Sequence, residues 1–154
     1  MSTNVSNTIA LLIDLVKRDS VTPADQGCQE LIAARLKPLG FELENMPANG
    51  VSNLWARRGT SEPLLVFAGH TDVVPTGDIN AWTSPPFDAE IIDEHVVGRG
   101  AADMKAGVAA MVTAIERFVS ADNHHHGSIA LLLTSDEEGP ATHGTKEVID
   151  RLNA

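Results

Sequence analysis

Two stretches of the chain, Leu64-Leu65-Val66-Phe67-Ala68 and Ile129-Ala130-Leu131-Leu132-Leu133, are apolar at every position. A strand with one wet face alternates apolar and polar residues, so unbroken runs of this length mark strands covered on both faces. Such strands need helices on either side of the sheet, and the rest of the pattern supplies them. Ile9, Leu12, Leu15 and Val16 recur at helical spacing. A second helix is predicted from Thr22-Pro23, an N-cap followed by proline at the first helical position, to about Leu39 before Gly40. Its apolar face holds Cys28, Leu31, Ile32 and Leu36. Met104, Val108, Met111, Val112, Ile115 and Val119 mark a long amphipathic helix, and a last helix spans Thr145 to Leu152.

Phe41-Glu42-Leu43 and Asn53-Leu54-Trp55-Ala56 alternate as half-buried strands flanking a turn at Asn49-Gly50. Ala89-Glu90-Ile91-Ile92 and His95-Val96-Val97 suggest a short hairpin. The expectation is an α/β, three-layer domain with a mixed, mostly parallel sheet, its functional groups gathered just beyond the strand ends. At 154 residues the chain is the size of one domain.

Lys and Arg total 11 against 21 Asp and Glu, a formal net charge of -10. Phosphate backbones and anionic membranes are repelled, so neither nucleic acid nor membrane is an expected partner. Carboxylates also hold divalent cations, which gives part of the acidity a second use. Cys28 stands alone, so no intrachain disulfide and no thiolate-rich zinc site can form. Its place on a helix face makes it a core residue. The start, MSTNVSNTIALLIDLVKRDS, has no basic lead and no membrane-length apolar run, and a cytoplasmic location is expected.

The first apolar run leads into Gly69-His70-Thr71-Asp72. A metal-ligating histidine gives its other ring N–H to an acceptor that fixes the tautomer, and Asp72 is placed to be that acceptor. By itself His-x-Asp does not separate this from an ordinary histidine. The second run leads into Ser135-Asp136-Glu137-Glu138-Gly139-Pro140. Neighbouring side chains on an extended backbone point opposite ways, so Glu137 and Glu138 can divide metal binding from proton transfer. A solvated acidic loop fits the same residues.

Gly98-Arg99-Gly100-Ala101-Ala102-Asp103 follows a strand and opens a helix, as dinucleotide-binding turns do, but Asp103 would set a negative charge beside the phosphates. A cation suits it better. His95, His143 and the run His124-His125-His126 have no ligand-spaced partner and are read as strand or solvated-loop residues.

Taken in order and spacing, GHTDVVPTGD, WTSPPF, GRGAADMKAG and LLLTSDEEGPATHGT resemble the catalytic motifs of the zinc metallopeptidase superfamily that includes aminoacylases and glutamate carboxypeptidases. Within it they look most like the bacterial succinyl-diaminopimelate desuccinylase family, from the first helix to Leu152. The resemblance implies His70 on one zinc, Glu138 on the other and Asp103 bridging them. It makes Glu137 the general acid/base and Asp72 the partner of His70. It also implies a cis peptide at Asp103-Met104.

Two Zn2+ ions per complete site follow, with Co2+ able to substitute. The implied substrate is an N-succinyl diamino acid, N-succinyl-L,L-2,6-diaminopimelate, hydrolysed at its amide to supply lysine and peptidoglycan synthesis. A homodimer is implied too. The family uses two further ligands, a carboxylate in a Gly-Glu-Pro segment and a C-terminal histidine, together with a dimerisation domain. None of these occurs in this sequence, so residues 1–154 are expected to be the N-terminal portion of a catalytic domain left incomplete at its C-terminus and inactive alone. The competing expectations are another amidohydrolase of the superfamily, a deacylase or aminopeptidase, or a non-catalytic metal-binding remnant.

Overall fold

In the computed structural model, which describes residues 6–154, the two apolar runs lie side by side. The reading of residues 1–5 as lacking a leader lies outside the described part. The elements run α1 (Asn7–Val16), α2 (Cys28–Leu36), β1 (Glu42–Asn45), β2 (Asn53–Arg58), β3 (Leu64–His70), β4 (Glu90–Ile92) and β5 (His95–Val97). They continue with α3 (Ala106–Ala121), β6 (Ser128–Thr134) and α4 (Thr145–Leu152). β4 and β5 form a separate antiparallel hairpin.

The main sheet has the order β1-β2-β6-β3. Its members are antiparallel at β1–β2 and β2–β6 and parallel at β3–β6. The α/β class and the mixed sheet are as expected, but within this stretch antiparallel pairings outnumber the parallel one. The cause is local. Asn49 and Gly50 both take positive φ, 47° and 84°, which closes the β1–β2 connection as a tight turn and obliges the strands to run in opposite directions.

Three layers result. Leu11, Leu15, Ile32, Leu36, Val108 and Val112 pack α1, α2 and α3 against Leu131 and Leu133 on one face of β6. Trp55, Ala130 and Leu132 meet Val148 of α4 on the other. Every residue of β6 is buried, as an unbroken apolar run requires. β3 departs from that reading: Leu65 is 56% and Val66 42% exposed. It is one of the sheet's two edge strands among the described residues, with β6 as its one neighbour.

The second helix also starts later than predicted. Thr22-Pro23 lies in a turn, and α2 begins at Cys28 after Gly27 at φ 78°. Asp25 is the residue that caps it, its Oδ2 accepting the Gln29 N–H at 3.0 Å. The C-terminal stop at Gly40, φ 82°, is as read. Cys28 is fully buried, and burial pushes its thiol pKa up, as expected of a core cysteine rather than a nucleophile.

The largest wholly enclosed side chain is a cation. Lys105 is 1% exposed, and its Nζ donates to the carbonyls of Leu15 and Arg18 at 2.9 Å each. It thereby satisfies the carboxyl end of α1 and fixes the turn ahead of α3 to it. Burial lowers its pKa, so the two carbonyls are what make the site tolerable for an ammonium. Lys105→Met, similar in length and without donors, removes the charge-assisted bond to each carbonyl and leaves them only the backbone N–H groups of Arg18 and Ser20. The expected loss is roughly 1–3 kcal/mol, read as a lower urea midpoint at unchanged slope.

Candidate active site

Strands β3 and β6 run parallel with His70 opposite Thr134, so the segments that follow both strands emerge at the same end of the sheet. The Thr71 N–H extends the ladder by one bond, to the Thr134 carbonyl at 2.9 Å. This register joins two motifs that stand far apart in the sequence. The bridge between Val21 and Val73 then ties the chain leaving β3 to the end of α1.

His70 is 4% exposed. Its Nδ1 lies 2.9 Å from the backbone carbonyl of Asp72, while the Asp72 carboxylate stands 3.5 Å away. Asp72 is thus the partner of the ring N–H, through its backbone oxygen at the shorter distance. With Nδ1–H so engaged, Nε2 is left to face the cleft, 3.3 Å from Asp103 Oδ1 and 3.8 Å from Glu137 Oε2. Burial opposes a charge on the ring, but Asp72 and then Glu137 more than offset it and raise the pKa to about 9.

The Asp72 carboxylate has other partners. It is fully buried and accepts the N–H of Glu137 at 3.2 Å and of Glu138 at 3.0 Å on Oδ2. Burial works against its ionisation, yet His70 and those N–H groups hold its pKa below the usual value. Asp136, counted in the sequence only as one acid of three, has a matching role at the far side of the same turn. Buried to 3% exposure, it accepts the N–H of Thr142 and His143 at 3.0 and 3.1 Å. Two sequestered carboxylates thus hold the loop that presents two accessible ones. The loop bends at once after β6, so Glu137 and Glu138 both reach the His70 side instead of pointing oppositely as on a strand.

Asp103 comes from a kinked turn, Ala101–Lys105, in which Asp103 (φ -125°, ψ 103°) and Met104 leave helical geometry before α3 begins. The Asp103–Met104 peptide is cis, as the resemblance implied. Gly100 enters that turn at φ 79°, where a Cβ would collide with Val73, so no other residue fits. Met104 Sδ accepts the His70 N–H at 3.4 Å and seats the turn on the end of β3.

One nitrogen and carboxylate oxygens of His70, Asp103 and Glu138 lie within 4.8 Å of one another. Partial burial raises the Glu138 pKa; His70 opposes this, and Asp103, Glu137 and Asp72 raise it further. An imidazole beside crowded carboxylates is a donor set that a divalent cation relieves and that zinc or a similar metal fits. The Asp103 and Glu137 side chains are 79% and 57% exposed, so both are open to a ligand.

Residues 66–154, which hold all of these groups, match the model of peptidase family M20/M25/M40. The chain belongs to this family. Among curated relatives it is 62% identical over all 154 residues to a succinyl-diaminopimelate desuccinylase of Azoarcus sp. (strain BH72), and spans 40% of that protein's length. It is 57% identical over 97% of the chain to the protein of the same name from Psychromonas ingrahamii, again spanning 40% of it.

Among solved structures the fold is shared with the M20 family metallo-carboxypeptidase Sso-CP2 of Sulfolobus solfataricus, TM-score 0.80 at 23% identity over 96% of this chain and 34% of that one. A dinuclear metal binding M20 peptidase of Bacillus subtilis, YXEP, gives TM-score 0.63 at 17% identity over 93% of this chain and 38% of that one.

The remaining histidines of this M20 chain stay outside the cluster. His95 Nδ1 lies 2.6 Å from the Asp93 carbonyl in the hairpin turn, and His125 packs on Phe118 at 5.3 Å beside Arg58. Asp25 was missed as a support. It accepts the Thr71 hydroxyl at 2.6 Å behind the site, and its position ahead of an apolar helix face was the available signal.

Proposed function

We propose that the site hydrolyses the amide of N-succinyl-L,L-2,6-diaminopimelate to succinate and L,L-diaminopimelate. What carries this reading is the convergence of His70, Asp103 and Glu138, with the uncommitted carboxylate of Glu137 beside them. The names borne by relatives 57–62% identical support this substrate for an amide hydrolase. His70 Nε2 and Glu138 would each hold one divalent cation, zinc with cobalt able to replace it, and Asp103 would be shared between them. Such ions, when bound, supply Lewis acidity toward the carbonyl and a water acidified to near neutrality.

The protein's own part is positional and protic. Glu137 takes the proton from the attacking water and returns it to the leaving nitrogen as the C–N bond breaks, so one carboxyl serves as base and then acid. Asp72 holds the N–H groups of both glutamates, which keeps Glu137 beside the reacting atoms while Glu138 stays with His70 and Asp103. The His70 Nδ1 bond to the Asp72 carbonyl fixes which ring nitrogen faces the cleft.

Residues 1–154 are read as the N-terminal portion of a catalytic domain, completed by further ligands and paired as a homodimer in the cytoplasm. The 40% share of the relatives' length supports the first point. No helix among the described residues is long and apolar enough to cross a membrane.

The deciding measurement is succinate release from N-succinyl-L,L-diaminopimelate by the full-length protein, with and without added Zn2+, beside N-acetyl amino acids and dipeptides. Zinc-dependent turnover with the succinyl substrate preferred is the expected result. Preference for an N-acetyl amino acid or a dipeptide would make it another amidohydrolase. Zinc binding without turnover would make it a metal-binding remnant.

A further inference from the structure

A pocket of about 300 Å³ opens beside Asp103 and Glu138, and Arg99 is among the residues that line it. This is a cation at the edge of a site whose accessible charges are otherwise negative, in a chain of net charge -10. Its backbone is pinned by the Arg99 N–H to the Pro86 carbonyl at 2.7 Å. Its guanidinium stacks over Trp82, 5.0 Å from the ring centroid, and reaches the Thr76 carbonyl at 3.4 Å. Trp82 is itself held, its Nε1–H donating to the same carbonyl at 2.9 Å.

The arginine is therefore oriented, yet its donors are largely unused. Among the described residues no carboxylate pairs with it, and its Nε is buried without a partner. The pocket's other basic neighbour in sequence, Lys105, is enclosed and committed to carbonyls. The rest of the lining is Val74, Gly98, Gly100 and Ala102, which offer no polar side-chain atom.

We infer that Arg99 is a specificity-determining residue that receives the free carboxylate of the substrate's acyl group. The inference rests on the proposed desuccinylase reading and adds the acyl subsite to it. A succinyl group carries two methylenes and then a carboxylate beyond the scissile carbonyl. With that carbonyl at the His70–Asp103–Glu138 cluster, the methylenes meet the apolar walls and the carboxylate meets a preoriented guanidinium able to accept it in two parallel hydrogen bonds. An acyl chain without the carboxylate would leave the arginine desolvated and unpaired, which disfavours it.

The test uses the full-length, zinc-loaded protein and two substrates, N-succinyl- and N-butanoyl-L,L-diaminopimelate, which differ by the acyl carboxylate. Arg99→Met is expected to lower the succinyl-over-butanoyl ratio of kcat/KM roughly tenfold to a hundredfold, the worth of a charge-assisted contact, with the change mostly in KM. Arg99→Lys, which keeps the charge without the fork, should recover part of the ratio. Calorimetric binding of succinate against butyrate is measured in parallel, and wild type should prefer succinate while Arg99→Met loses that preference. An unchanged ratio in both variants overturns the inference, as does a wild type that binds succinate no better than butyrate. If neither amide is hydrolysed but the succinate preference depends on Arg99, the subsite stands and the desuccinylase reading falls.

Discussion

Glu137→Gln in the full-length protein is expected to lose turnover by about 10²–10⁴-fold, the usual worth of a positioned proton carrier, while bound zinc stays near the wild-type level. The expectation follows from where the side chain stands. Glu137 Oε2 is 3.8 Å from His70 Nε2, the side chain is 57% exposed, and it is not among the groups whose ligand atoms converge within 4.8 Å. Glutamine preserves its size and its backbone N–H bond to Asp72 but can neither take nor return a proton. Metal content by atomic absorption and kcat from succinate release separate the two roles. A variant stripped of zinc would mean that Glu137 is a ligand and that the two glutamates have exchanged tasks. Loss confined to KM would move Glu137 from proton transfer to substrate binding.

The groups that converge at the candidate site were legible in the sequence because each follows a strongly patterned element. The apolar runs fix β3 and β6, and once those strands are adjacent and parallel, whatever follows His70 and Thr134 must share one end of the sheet. Asp103 was legible for a related reason, since a glycine-rich turn before a long amphipathic helix has few uses for an exposed acid.

The departures have equally local causes. Burial of a strand depends on its neighbours as well as on its own residues, so Leu65 and Val66 read as covered and stand exposed at an edge. The start of α2 was misplaced because Thr22-Pro23 satisfies a helix-start pattern, while the cap that decides the matter is the side chain of Asp25 and the left-handed Gly27. The supporting carboxylates were the least visible. Nothing in the letters separates Asp136, turned inward onto Thr142 and His143, from Glu137, turned outward, until the turn after β6 is built.

Asp72 shows the same limit and yields the second large expected effect. The resemblance gives it one task, orienting His70, but its backbone carbonyl performs that task and would continue to do so in Asp72→Asn. The substitution acts on the carboxylate, which receives the Glu137 N–H at 3.3 and 3.2 Å on its two oxygens and the Glu138 N–H at 3.0 Å. An amide retains one acceptor and sets an NH2 group where the second oxygen stood, so the loop bearing both glutamates is held less firmly at one of its two buried carboxylates.

Zinc affinity is expected to fall about 10–100-fold, as when a ligand loses its supporting hydrogen bonds, and turnover to fall with it. Combining the change with Glu138→Gln discriminates the routes. If Asp72 acts through the turn, Glu138 is already displaced in Asp72→Asn, and the losses in zinc affinity, read by chelator competition, will be far less than additive. If Asp72 acts only through His70, the two changes touch separate ligands and their effects on zinc affinity will sum.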